Sequence, residues 1–320
     1  MSKDAAPRAR AAPALASAAL VVASAGTMVQ ARFNAELVAI TGNPLEVSLI
    51  NLVAAACVGS LAVLSTPTLR SSWRTMIRAI RARRLRPWQL AGGALGGYYI
   101  AIQGSVALAV GVAVFTVAVV AGQTGAALVV DRLGLSPMGR RGVSTKRVVA
   151  AALAIGAVLV VATGRLTEPR ASIAALAGIL LLAASAGVAS AFQQAVNGHV
   201  AAVSGRGMTA AWVNFIGGAA LMVLVVALLD RATGVDLAAV PRDQWWLSVA
   251  GLFGLVYIAT VAWVVRLVGV LVASLLTLVG LLAGSVLLDA VVPTRGSSVT
   301  WQLLAGVVLT AIAVGLASRA

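Results

Sequence analysis

Six amide side chains stand inside stretches that are otherwise apolar: Gln30, Asn34 and Asn51, then Gln193, Asn197 and Asn214. The chemistry they offer is hydrogen bonding, either to a polar substrate or to a neighbouring helix. Each member of the first set recurs 163 positions later in the second. A turn glycine, Gly42, recurs at the same offset as Gly205. One unit is therefore used twice, a common construction in membrane carriers. Two readings of the amides stay open. They are interhelical glue, or they are mirror-related gates at the two ends of a substrate path. Replacing Asn51 and Asn214 with leucine separates the two by its effect on transport. Tyr99 and Tyr257 add an aromatic face and a hydroxyl near mid-span, available to a substrate or to ordinary packing.

Other residue types carry less. Cys57 and His199 each occur once. Cys57 reads as a small buried filler and His199 as a polar residue in a short loop. No metal centre, catalytic constellation or cofactor site is expected, and no enzymatic activity. Glu36, Glu46, Asp131 and Asp289 all fall near the ends of apolar blocks. Asp131 and Asp289 cannot form a dyad, because they fall at opposite membrane surfaces. Each is expected to cap its own helix or to pair with the nearby Arg132 or Arg295.

The elements that carry these residues follow from composition. The chain is 61% hydrophobic and 10% charged, with mean hydropathy +1.01. Globular chains are about 45–50% apolar and about 25% charged. The chain is thus an integral membrane protein, and blocks of about 20 residues make its spans helices rather than barrel strands. Ten blocks are readable, at 13–33, 45–65, 88–106, 109–130, 148–164, 172–194, 208–229, 245–264, 267–288 and 300–317. Short connections around Gly104–Val110 and Arg266–Gly269 predict antiparallel neighbours. The first block resembles a signal peptide, but Gln30 and Asn34 lie just past the cleavage-like Val22–Ala25 and match the sixth block, so it reads as a retained helix.

The net charge of +15 does not point to nucleic acid, because the cations sit in loops between apolar blocks. With both termini cytoplasmic, 18 of the 24 Lys and Arg residues fall inside; Arg32, Arg165, Arg170, Arg231, Arg242 and Arg295 fall outside. An odd number of helices per unit inverts the second copy. The divisions expected are a cytoplasmic tail 1–12, a first five-helix unit 13–164 with a basic loop 66–87, a linker 165–171, and an inverted second unit 172–320. The segment Arg70 to Arg86 reads as an interfacial helix. Its arginine stripe faces anionic lipid at the cytoplasmic surface or fixes topology, and Trp73, Ile77 and Ile80 form its apolar stripe. Trp245 and Trp263, 18 residues apart, are placed at the two interfaces of one span.

Further along each unit, Gly93, Gly96 and Tyr99 match Gly251, Gly254 and Tyr257 at offset 158, as Gly122 and Asp131 match Gly280 and Asp289. The pairs Gly92/Gly96, Gly93/Gly97 and Gly280/Gly284 let helices approach closely or flex in gating.

Four features taken together resemble the YdcZ-type inner-membrane exporters of the drug/metabolite transporter (DMT) superfamily. These are the Gln-x-x-x-Asn of the first block, the Asn early in the second, the glycine-rich third and the Asp closing the fourth. Single-unit members have about five helices, and this chain looks like a fused double version from about residue 15 to 318. The resemblance implies an all-α protein of ten transmembrane helices as two inverted repeats. Helices 1–4 and 6–9 would surround a path, and helices 5 and 10 would buttress it. It implies alternating-access transport of a small molecule, with export the expected direction, in the bacterial plasma membrane. Small multidrug pumps of the superfamily use a buried glutamate; no acid lies at depth here, which favours a neutral, zwitterionic or anionic substrate. A passive channel or lipid scramblase, or a non-transporting scaffold, are the other classes to separate by flux and counterflow. A homodimer is compatible with the sequence.

Overall fold

A computed structural model of the chain describes residues 5–110, 112–163, 173–229, 240, 242–291 and 301–319. Eleven α-helices run through them: α1 Ala5–Thr41, α2 Pro44–Ser65, α3 Pro67–Arg81, α4 Gly92–Val110, α5 Val112–Leu133, α6 Thr145–Thr163, α7 Ile173–Ser204, α8 Gly207–Leu229, α9 Ala250–Val268, α10 Val270–Val291 and α11 Trp301–Ser318. A 3-10 turn, Pro87–Leu90, leads into α4, and a 3-10 segment, Arg242–Val249, leads into α9. Among the described residues there is no strand. Six of the helical segments in these residues are long and apolar enough to cross a membrane, on α1, α2, α7, α8, α9 and α10.

Local chemistry sets the boundaries. Gly42 (φ 68°) closes α1, and Asn43 Oδ1 then caps α2 by accepting from Leu45 N at 3.0 Å, with Pro44 in the first helical position. Gly205 (φ 80°) takes the same left-handed turn between α7 and α8. Thr66, held extended before Pro67, separates α2 from α3. Gly269 (φ 86°) separates α9 from α10.

Two helices outrun the apolar blocks. α1 has 37 residues and α7 has 32, against blocks ending at 33 and 194. α1 runs on past its last apolar stretch through the Arg32–Glu36 pair, four apart at 3.2 Å. Segment 104–110 is also helical, as the last turns of α4 rather than a connection. His199 lies in α7 and not in a loop; its Nε2 meets Leu135 O at 3.0 Å. Cys57 is exposed on α2 rather than buried.

Packing interleaves the two halves. α1 lies on α9 and α10, while α7 lies on α4 and α5; α2 touches α9, while α8 touches α4. The equivalence extends to single atoms. A Cβ on Gly122 would strike Ala184 O, and one on Gly280 would strike Val21 O. Each contact is the other displaced by the repeat offsets. Gly284 sits against the backbone of Ala25 in the same seam. α6 and α11 pack on each other and against α5 and α10 respectively.

α3 is docked by its own apolar face. Met76, Ala79 and Leu85 join Val200, Ala201, Ala210 and Ala262, with Trp73, Ile77 and Ile80 packed around them. Ser72 Oγ donates to Ser204 O at 2.8 Å, and Trp73 meets Trp212 edge-on at 4.7 Å. Arg70, Arg74, Arg78 and Arg81 remain exposed. This end of the bundle, which also holds the starts of α4, α8 and α10, is called the α3 face below.

Candidate functional site

The six amides form two clusters. In the first, Asn51 Nδ2 donates to Asn34 Oδ1 at 2.9 Å and to Val47 O at 2.7 Å. In the second, Gln193 Nε2 and Asn197 Nδ2 both donate to Asn214 Oδ1 at 3.1 Å. The second lies towards the α3 face and the first towards the opposite one. Gln30 is eleven residues before the end of α1, so it lies about 16 Å in at ~1.5 Å per residue, deeper than an end at residue 33 implies.

Each cluster is roofed by the glycine-rich helix of the other half. On α4, Gly92 and Gly96 lie directly against Asn197 and Gln193, and a Cβ on Gly93 would come within 2.5 Å of Asn214 O. On α9, Gly251 presses on Asn51 O, and a Cβ on Gly254 would lie 3.2 Å from Gln30 Nε2. A side chain at these positions would force the halves apart. Gly97 meets only the Leu221 side chain, at 3.3 Å.

The clusters differ in closure. Gln193, Asn197 and Asn214 are all buried, and Asn214 Oδ1 has both lone pairs engaged. Gln30 and Asn34 are only half-buried, and Asn51 Oδ1 is buried without a partner. Asn214→Leu is therefore expected to cost more stability than Asn51→Leu. It strands two buried donors, at about 1–3 kcal/mol each, where Asn51→Leu breaks one interhelical bond worth about 0.6 kcal/mol. Thermal unfolding of the two purified variants checks the order; equal melting temperatures would show the second cluster to be no tighter than the first.

Beside the second cluster, at a similar depth from the α3 face, lies a third polar group built from both halves. Gln123 Nε2 on α5 meets Ser274 Oγ on α10 at 3.4 Å. Ser274 Oγ donates to Gln194 Oε1 on α7 at 3.0 Å. Gln194 Nε2 is buried with no hydrogen-bond partner. Tyr257 on α9 hydrogen-bonds with Thr277 and lies near Tyr99 on α4. Tyr99 also stacks edge-on with Phe115 at 6.3 Å. Gln123 is ten residues from the end of α5, near the middle of its helix. A buried group holding an unused donor is arranged to receive a polar ligand.

The acids are engaged elsewhere. Asp131 is buried at the α3 face and pairs with Arg147, the start of the next helix, rather than with Arg132. Its carboxylate also accepts from Val270 N at 3.0 Å and Leu271 N at 3.3 Å, so it caps α10 as well. Arg141 Nη1 donates to Val268 O at 2.9 Å and ties the same loop to the end of α9. Glu46 is buried beside the start of α2. The side chain of Asp289 and the whole of Arg295 lie outside the described residues. Among the described residues no group of His, Cys, Asp and Glu could hold a metal ion.

The family model described as "Putative inner membrane exporter, YdcZ" matches residues 15–160 and again 178–316. The chain belongs to this family, in a form that carries the family unit twice. It is thereby a multi-pass inner-membrane protein of a transporter family rather than an enzyme family. A solved crystal structure that is 16% identical covers 96% of each chain with a TM-score of 0.66, which shows a shared fold alone. No curated protein matches the chain in sequence.

Gln123, Gln194 and Thr277 escape a reading based on the repeat. At the repeat offsets Gln194 falls on Ala31, Gln123 on Leu281 and Thr277 on Val119. The signals in the sequence are Ser274, which pairs with Thr116 at offset 158, and its spacing from Thr277, three apart and so on one face of α10.

Proposed function

We propose that this chain is an alternating-access carrier of ten transmembrane helices in two inverted five-helix units, with both termini cytoplasmic. Its cargo is a small, polar, uncharged or zwitterionic molecule, and export is its direction. The observation that carries this reading is the buried group built from α5, α7 and α10, in which Gln194 Nε2 has no hydrogen-bond partner. An unpaired buried donor costs about 1–3 kcal/mol, which a polar cargo accepting from Gln194 Nε2 would recover. A substrate hydroxyl, amide or carboxylate would engage Gln194, and its apolar part would rest on Tyr99 and Tyr257. The absence of an acid from this group argues against a cationic cargo, which would be left without a counter-charge.

The two amide clusters act as the ends of the path. The cluster of Asn214 is closed and that of Asn34 and Asn51 is looser, which fits a state sealed towards the α3 face. With the termini inside, that state opens outward. α6 and α11, packed on each other, serve as the support against which the other helices rock.

A thermal-shift screen of small polar molecules on the purified protein, followed by counterflow in liposomes, tests the reading. Gln194→Leu is expected to slow counterflow about tenfold, the value of one buried hydrogen bond of ~1.4 kcal/mol, and also to lower the melting temperature by freeing Ser274 Oγ, whereas Thr277→Val tests the neighbouring hydroxyl. Unchanged counterflow in both variants sinks the site. Flux without counterflow means a passive conduit instead.

A further inference from the structure

We infer that the groove between α3, α8 and α9 binds the phosphate of an anionic membrane-lipid headgroup in the leaflet beside α3. The groove has a volume of about 330 Å³ and is lined by Leu69, Arg206, Met208, Thr260, Trp263 and Arg266, among others. It combines two cations with an indole and aliphatic side chains, the pairing that a lipid's charged head and apolar body require.

The two arginines have no counter-ion among the described residues, whose ion pairs are Arg32–Glu36 and Arg147–Asp131. Arg206 is exposed. Arg266 is partly buried; its Nη1 donates to Ala201 O at 3.3 Å, while its Nε is buried without a partner. A partly buried guanidinium without a counter-ion, one helical turn from Trp263, is an arrangement that an anion in the groove would complete.

The repeat gives a second, independent line. Arg206 stands 163 positions after Asn43. Asn43 caps α2 with its own side-chain oxygen. Arginine has no acceptor, so the equivalent turn at the start of α8 lacks that cap and gains a charge. Gly207 and Met208, the first residues of α8, line the groove. The positive end of a 23-residue helix and two guanidinium groups thus converge on it. Gly207 shapes the groove too, since a Cβ there would strike Ala259 O. The outward arginines of α3 enrich anionic lipid nearby without belonging to the groove.

The test uses the purified full-length chain, titrated with short-chain phosphatidylglycerol, short-chain phosphatidylcholine or inorganic phosphate while bound lipid is followed by native mass spectrometry and thermal shift. Phosphatidylglycerol is expected to bind with a clear preference over phosphatidylcholine. Arg206→Asn, which restores the cap found in the first unit, and Arg266→Gln are each expected to cut that preference about fivefold. Arg74→Gln, on the outer stripe of α3, leaves it in place. An undiminished preference in both groove variants overturns the inference, as does loss on Arg74→Gln alone. An equal shift with inorganic phosphate assigns the site to a soluble anion and overturns the lipid. Counterflow is read on the same preparation, so a failure of transport and a failure of lipid binding are separate results.

Discussion

Asp131→Ala is expected to be the most damaging single side-chain loss in the molecule. The carboxylate serves three helices at once: it ends α5, pairs with Arg147 at the start of α6 and caps the first two N–H groups of α10. Its removal leaves the buried Arg147 charge alone, and Arg147 Nε already lacks a partner. Breaking a buried pair by deleting one member costs about 3–5 kcal/mol, and loss of the cap adds about 1 kcal/mol. Asp131→Asn keeps an acceptor for α10 and is expected to lose less. Adding Arg147→Met to Asp131→Asn removes the stranded charge and recovers part of the loss. Unfolding of the three purified variants checks the ranking. An Asp131→Ala protein that melts with the wild type would mean that the pair holds nothing together.

The second large effect is steric. A Cβ on Gly93 would lie 2.5 Å from both Asn214 O and Gly218 N, and 2.7 Å from Gly217 C. All three are backbone atoms, so no side chain can turn aside to make room. On α9, a Cβ on Gly251 would lie 3.0 Å from Asn51 C and closer still to Asn51 O. Gly93→Val and Gly251→Val are expected to push α4 off α8 and α9 off α2, at a cost at or above the usual ~1–3 kcal/mol of overpacking. The amides beneath those helices lose their alignment with them, so folded yield and transport fall together. Gly156→Ala is the control. Nothing lies within 4 Å of a Cβ there, and alanine is the better helix former by about 1 kcal/mol. Wild-type yield from Gly93→Val would refute the close approach.

Much of this architecture is written as periodicity and repetition. Apolar blocks of membrane length mark the helices. The offsets that pair Asn51 with Asn214 and Gly93 with Gly251 also pair the contacts these residues make. What the sequence hides is local and physical. A hydropathy run stops at the first charged residue, whereas α1 continues through the paired Arg32 and Glu36. Arg132 is nearest to Asp131 in sequence, yet adjacent residues on a helix do not face each other, so the partner comes from the next helix. The polar group of α5, α7 and α10 has no twin in the other half at Gln123, Gln194 or Thr277, so a search for symmetry passes over these residues.

The exchange of glycine helices between halves also sets an order in time. Gly251 enters the membrane when its seat on Asn51 has long been in place. Gly93 has the opposite experience: its seat on Asn214 and Gly218 is more than a hundred residues away and unsynthesised. At ~5–20 residues per second, α4 waits on the order of ten seconds with a glycine face against lipid. The newborn first half is therefore an open-sided intermediate that only the second half can close, and the vulnerable moment of this protein's life falls in that interval.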